Sequence, residues 1–278
     1  MNQPLVRRRI AAADGEAPEH LTPVPEISRF WLALFGKYSE SYLRRHFHAV
    51  RLLANSAPSR CDGLPLVVYL NHSAWWDPIV SLLLARHFFP RRDSYGPIDA
   101  ESLTRYPFFR RLGFFGVKLG TRRGAKDFLQ TARTILQSRR SALFITPQGK
   151  FADFHARPVQ LERGLSHLPR HIGAAAFLPL AIQYVHWEER LPEILLAFGE
   201  PIVFDSRRRL STRETARLFE VALATLQDHL GSASQRRNAD EWRTISRGNA
   251  GVNFFYDCWR EVRARLRGDE FERAHSRL

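Results

Sequence analysis

The chain reads as an α/β protein: a mostly parallel, mixed sheet flanked by helices, with an amphipathic helical segment ahead of it and a helical tail behind. Three observations predict this. The runs "LPLVVYL" (64–70), "SALFITP" (141–147) and "AAFLPLAIQYV" (175–185) are short, apolar and continuous, as strands covered on both faces are. They alternate with stretches of helical periodicity, the pattern of a sheet whose crossovers are helices. At 278 residues, 44% of them hydrophobic, the chain can also bury a sizeable core.

In chain order, residues 1–25 hold four prolines and no apolar period, and are expected to be a flexible lead-in. Over 26–54, Phe30, Trp31, Leu34, Phe35, Tyr38, Tyr42, Phe47 and Val50 recur near helical spacing among Arg29, Lys37, Arg44, Arg45 and Arg51. This predicts a helix or helix pair that docks on the core, rests at a membrane interface, or does both in different turns. The run 64–70, bounded by Gly63 and Asn71, predicts a buried strand. "DPIVSLLLARHFF" (77–89) predicts a helix whose Pro78 suits the first turn.

A further helix is expected around "SLTRYPFFRRL" (102–112). "AKDFLQTARTILQSRR" (125–140) follows, with Phe128, Leu129, Ala132, Ile135 and Leu136 on one face. "EILLAFGEPIVF" (193–204) predicts two short strands broken at Gly199 and Glu200. "STRETARLFEVALATLQDHL" (211–230) predicts a helix capped by Ser211 or Thr212, with Glu214 in its first turn. A catalytic domain is thus expected over 55–230 and a helical extension over 231–278.

The net charge of +14 attracts phosphates, whether on lipid headgroups or on nucleic acid, and all but Lys37, Lys118, Lys126 and Lys150 of the 42 basic residues are arginine. Those arginines are spread along the chain, without a helix-turn-helix, zinc-finger or RNA-recognition signature, so nucleic acid is not the expected partner. Cys61 and Cys258 are the only cysteines and signal neither a disulfide framework nor a metal site. No apolar run reaches the length of a membrane span, and the N-terminus lacks the apolar core of a signal peptide. The expected location is peripheral, at the cytoplasmic face of a membrane.

The stretch "NHSAWWD" (71–77) holds the chemistry. It places His72 at the carboxyl end of a strand, where loops of α/β sheets converge. An imidazole there is a natural general base near neutral pH, and Asp77, at the start of the next helix, can fix its tautomer. An isolated pair of this kind also reads as a loop histidine and a helix cap. No "GxSxG" elbow occurs and neither cysteine lies near His72, so no chain nucleophile is indicated. Walker, "GxGxxG" and "HExxH" motifs are likewise missing, and no bound cofactor or metal is expected.

"NHSAWWD" resembles the N-H-x-x-x-x-D block of the glycerolipid acyltransferases, the family of 1-acylglycerol-3-phosphate and glycerol-3-phosphate acyltransferases. Three further pieces follow in the family's order: "GVKLGTR" (116–122), "ITPQGKF" (145–151), which is similar to F-P-E-G-T-R, and "FLPLAI" (177–182). The resemblance spans about residues 45–205. It implies that His72 deprotonates the acceptor hydroxyl and Asp77 orients His72. It places substrate contacts at Asn71, Gly116, Arg122, Pro147, Gln148, Gly149, Lys150 and Pro179. It implies acyl-CoA or an acyl carrier protein thioester as donor, and a lysophospholipid such as 1-acylglycerol-3-phosphate as acceptor.

This chain departs from the family pattern at Leu119 and Thr121, and at Gln148 and Phe151, which stand where the third block has glutamate and arginine. These departures point to an altered acceptor pocket and keep a non-glycerol lipid alcohol open. Trp75 and Trp76 lie inside the first block, as channel lining, interface contacts or core packing. Two other readings are a lipid-binding pseudoenzyme and a basic nucleic-acid-binding protein without catalysis.

Overall fold

A computed structural model describes residues 24–249 apart from 60, 206 and 209. Helix α1 (Arg29–His46) is capped by Ser28 and leads directly into β1 (Ala49–Leu53). The expected helix over 26–54 therefore stops at His46. Phe47 is already extended, and all five residues of β1 are buried, which a surface helix does not allow. The strand β2 (Leu66–Leu70) and helix α2 (Asp77–Phe88) form as expected, with Pro78 in the first turn.

β3 (Asp93–Asp99) was not anticipated, because Asp93, Ser94, Gly96 and Pro97 mask it as a turn. The helix expected at 102–112 divides into α3 (Ala100–Arg105) and a 3-10 turn (Pro107–Leu112) at Pro107, which has no N–H for the helical ladder. β4 (Phe114–Val117) follows, then α4 (Arg122–Ile135), capped by Thr121 three residues ahead of the amphipathic run, and β5 (Ser141–Ile145).

α5 (Arg163–His171), a short helix with Pro169 inside it, was likewise not anticipated. β6 (Ala175–Val185), β7 (Glu193–Phe198) and β8 (Ile202–Phe204) match the expected strands. α6 (Thr212–Arg236) starts with a capping box between Ser211 and Glu214. It runs six residues past the boundary expected at 231. The tail then turns into β9 (Trp242–Arg247) instead of remaining helical, because Trp242 is buried and the strand pairs antiparallel with β1. Most of the 1–25 lead-in, the tail beyond 249 and Cys258 lie outside the described residues.

Among the described residues the nine strands form one sheet in the order β4-β3-β5-β2-β6-β7-β1-β9, with β8 paired antiparallel to the start of β6. From β4 to β6 the strands are parallel; β7 runs antiparallel to β6, β1 is parallel to β7, and β9 is antiparallel to β1. The result is a mixed sheet, parallel over its first five strands.

Period-2 alternation divides the core between the two faces. Leu66, Val68 and Leu70 pack with Val80 and Leu84 of α2, with Phe89 just after it, and with Leu43 of α1. On the other face, Val67 and Tyr69 pack with Ala132 of α4, Leu165 of α5 and Phe219 of α6. The crossover after β2 thus leaves by one face toward β3, and the crossover after β5 leaves by the other toward β6. The carboxyl ends of β2 and β5 are the switch point where such a sheet opens a crevice.

Candidate active site

His72 sits two residues beyond β2, and Asp77 is the first residue of α2. The intervening turn brings His72 Nδ1 to 2.7 Å from Asp77 Oδ2. Asp77 is fully buried, and burying a carboxylate costs several kcal/mol unless donors surround it. They do. Ala74 N–H donates to Oδ2 at 3.2 Å and the Tyr184 hydroxyl donates to Oδ1 at 2.6 Å. The α2 N-terminus adds a favourable dipole. Asp77 does not cap its own helix: the N-cap is Trp76, and no side chain bonds the first-turn amides. Both carboxylate oxygens are engaged as acceptors, so Nδ1 carries the imidazole proton and Nε2 keeps its lone pair. The His72 side chain is 19% exposed, enough for a ligand to reach it.

Tyr184 is the site residue that the sequence pattern did not reveal. It extends the row Leu178, Leu180 and Ile182 of β6, which faces α2, so period-2 alternation aims its ring at Asp77. Burial, and then the neighbouring Asp77 charge, push its phenol well above the ordinary tyrosine value, so it stays a donor. Phe47 and Trp76 pack around this ring at 5.9 and 5.6 Å.

The segment after β5 holds His72 from the other side. Gln148 Oε1 accepts the His72 backbone N–H at 2.7 Å, and Ala152 N–H donates to the His72 carbonyl at 2.8 Å. Gln148 therefore supplies the acceptor that a glutamate would supply. Gly149 turns this loop at φ +67°, a conformation that disfavours a side chain. Pro147 contributes its carbonyl to Glu162 N–H at 2.7 Å. Phe151 places its ring 4.4 Å from the His72 ring while remaining 60% exposed, and Lys150 beside it is exposed.

Asn71 is buried and spends its amide on the strands: Nδ2 donates to the Ile182 carbonyl and Oδ1 accepts Ile182 N–H, both at 2.8 Å. Gly116, on β4, lets Ala100 approach; a Cβ there would sit 3.2 Å from Ala100 Cα. Pro179 is buried in β6 where its pairing passes from β8 to β7, and its carbonyl accepts Gly199 N–H at 3.0 Å. Arg122 opens α4, after β4, and its side chain is exposed.

An apolar groove lies beside Leu70 and Pro78, which flank the turn. Leu70, Pro78, Leu82, Phe114 and Phe144 line it, among residues of α2, the middle of β3 and the end of β5. Trp76 packs inward, whereas Trp75 is 54% exposed. No group of three or more His, Cys, Asp or Glu among the described residues is arranged to hold a metal, and no described helix is long and apolar enough to cross a membrane.

No protein-family model matches the chain, and no curated protein sequence matches it. Among solved structures, the chain is similar to the crystal structure of the 1-acyl-sn-glycerophosphate (LPA) acyltransferase, PlsC, from Thermotoga maritima. The two share 15% sequence identity with a TM-score of 0.47, over 72% of this chain and 78% of that chain.

Proposed function

We propose that the protein is an O-acyltransferase that moves a fatty acyl group from a thioester, on coenzyme A or an acyl carrier protein, to the hydroxyl of a lysophospholipid such as 1-acylglycerol-3-phosphate. The observation that carries this reading is the 2.7 Å bond from His72 Nδ1 to a fully buried Asp77, which leaves Nε2 as the base of a partly exposed ring. The four ordered sequence blocks support the same chemistry.

In the proposed reaction, Nε2 takes the acceptor's O–H proton as the oxygen attacks the thioester carbonyl. A C–O bond forms, the tetrahedral intermediate expels the thiolate by C–S cleavage, and the imidazolium returns its proton to sulfur. The products are an oxygen ester and a free thiol. Asp77 positions His72 and stabilises the imidazolium. The groove beside Leu70 and Phe144 is of a chemistry suited to the acyl chain.

The exposed Phe151 ring against His72 favours a second acceptor class, a lipid alcohol of another backbone with no phosphate next to the reacting hydroxyl. Labelled acyl-CoA and acyl carrier protein thioester, offered with glycerol-based lysolipids and hydroxylated lipids of other types, test both readings. The expected result is an ester product with one acceptor class, reduced about 10²- to 10⁴-fold in His72→Ala. Failure of every hydroxyl acceptor, or undiminished turnover in a folded His72→Ala protein, overturns the proposal.

A further inference from the structure

The amino ends of the parallel strands, opposite the end that holds His72, frame a second cavity. It measures about 560 Å³ and lies among the loop before β2, the end of α4 with the loop into β5, and the α5–β6 loop. Its walls are tied together. Arg92 Nη1 donates to the Leu64 carbonyl at 2.8 Å and to the Arg139 carbonyl at 3.1 Å, joining the first loop to the second. Ala176 N–H donates to the Pro65 carbonyl at 3.0 Å and joins the first loop to the start of β6. The cavity is built before any ligand arrives, so binding has little ordering cost.

Its charge has one sign. Arg133, Arg139, Arg170 and His171 line it, and no aspartate or glutamate does. Arg133 and Arg170 stand in the last turns of α4 and α5, where a cation complements the helix dipole. Arg139 belongs to neither helix, so the dipoles do not account for it. Among the described residues none of these three guanidiniums makes a side-chain hydrogen bond or ion pair. The lining also has an apolar part, with Pro65 and Leu136 buried and Ile172 half-buried. Gly173 leaves space beside them, since a Cβ there would meet nothing within 4 Å.

We propose that this cavity binds a nucleotide carrying two or more phosphates, with the phosphates on Arg133, Arg139 and Arg170 and the base against Pro65, Leu136 and Ile172. Guanidiniums without a protein partner offer planar forks to phosphate oxygens, and hydrogen bonds between charged groups are the strong ones. The volume is in the range of small-molecule sites. Inorganic phosphate would use the arginines and leave the apolar lining empty. A bilayer presents its phosphates on a flat surface and brings no ring to the buried Pro65 and Leu136. β2 ends just before His72 and β6 carries Tyr184, so the cavity and the proposed catalytic pair lie at opposite ends of the same two strands. The proposal does not rest on the reaction assigned to His72, because its test measures binding and not turnover.

The full chain is titrated by calorimetry with ATP and with GTP in magnesium-free buffer, beside adenosine and pyrophosphate. One-to-one binding of at least one nucleotide is expected, weakened by salt and about tenfold or more tighter than that of adenosine or pyrophosphate. Affinity should fall roughly tenfold or more in Arg139→Gln/Arg170→Gln, which loses two charged partners, and in Gly173→Phe, which fills the cavity at unchanged charge. Arg213→Gln/Arg217→Gln, which removes two exposed cations from α6, should bind like the wild type. All of these positions are exposed, so thermal melting of the variants should match the wild type. Absence of saturable binding by either nucleotide overturns the proposal, as does pyrophosphate binding as tightly as the nucleotides. So do wild-type affinity in either folded cavity variant, and an equal loss in the α6 variant, which would mean that the +14 field of the whole chain holds the anion.

Discussion

At the scale of single residues, the site works by over-determining one imidazole. His72 is held through its ring by Asp77 and through both of its backbone polar groups by the 148–152 loop. Asp77 is held in turn by Tyr184, 107 residues away in the chain. Tyr184→Phe removes a donor to a buried carboxylate, and unfolding in urea should show a loss of about 1.5–3 kcal/mol. Gln148 makes its bond with an oxygen that glutamate also has. Gln148→Glu should therefore keep turnover within a few-fold, whereas Gln148→Leu, which leaves the His72 N–H unpaired, should lower it roughly tenfold or more by misplacing the base. A reversed order of those two variants would mean that Gln148 acts on substrate and not on the loop.

At the scale of elements, local signals and long-range packing contribute differently. The capping box at Ser211 and Glu214 closes within four residues and was readable as such. Ser211→Ala should lower stability by about 1 kcal/mol, seen as a shifted urea midpoint with unchanged slope. β3 and α5 gave no comparable signal. β3 carries Gly96 and Pro97 in mid-strand and is a strand because β4 and β5 pair with it on either side. β9 exists for the same reason: the antiparallel partner is β1, almost two hundred positions earlier, and its own six residues carry little pattern. The misreading of 47–54 has the opposite cause. Phe47 and Val50 satisfy helical spacing by chance, while the five-residue buried run that contains Val50 belongs to the sheet.

At the scale of the whole molecule, two phenols among the described residues, Tyr69 and Tyr184, are set into the core. Tyr69 and Tyr184 are both pushed up by burial, in the second case with help from the Asp77 charge. An unfolded tyrosine ionises near about pH 10, so above that pH the unfolded chain gives up protons that the folded chain retains. Unfolding is then favoured as pH rises, and stability should fall by up to about 1.4 kcal/mol per pH unit for each phenol. Urea titrations across the alkaline range should show this slope and its partial loss in Tyr69→Phe. A flat profile would mean that these rings reach solvent.

The sequence by itself determined that this is an α/β protein and that a strand, a turn and a helix hold His72 and Asp77 together. Six consecutive residues suffice for that, because the strand end, the turn and the helix start are set by neighbours along the chain. Only the tertiary structure decided what makes the pair usable: Tyr184 on Asp77, Gln148 on His72, and Phe151 against the ring. Those relations depend on which strands lie side by side, and strand order follows from burying two faces of one sheet under helices contributed from the whole chain.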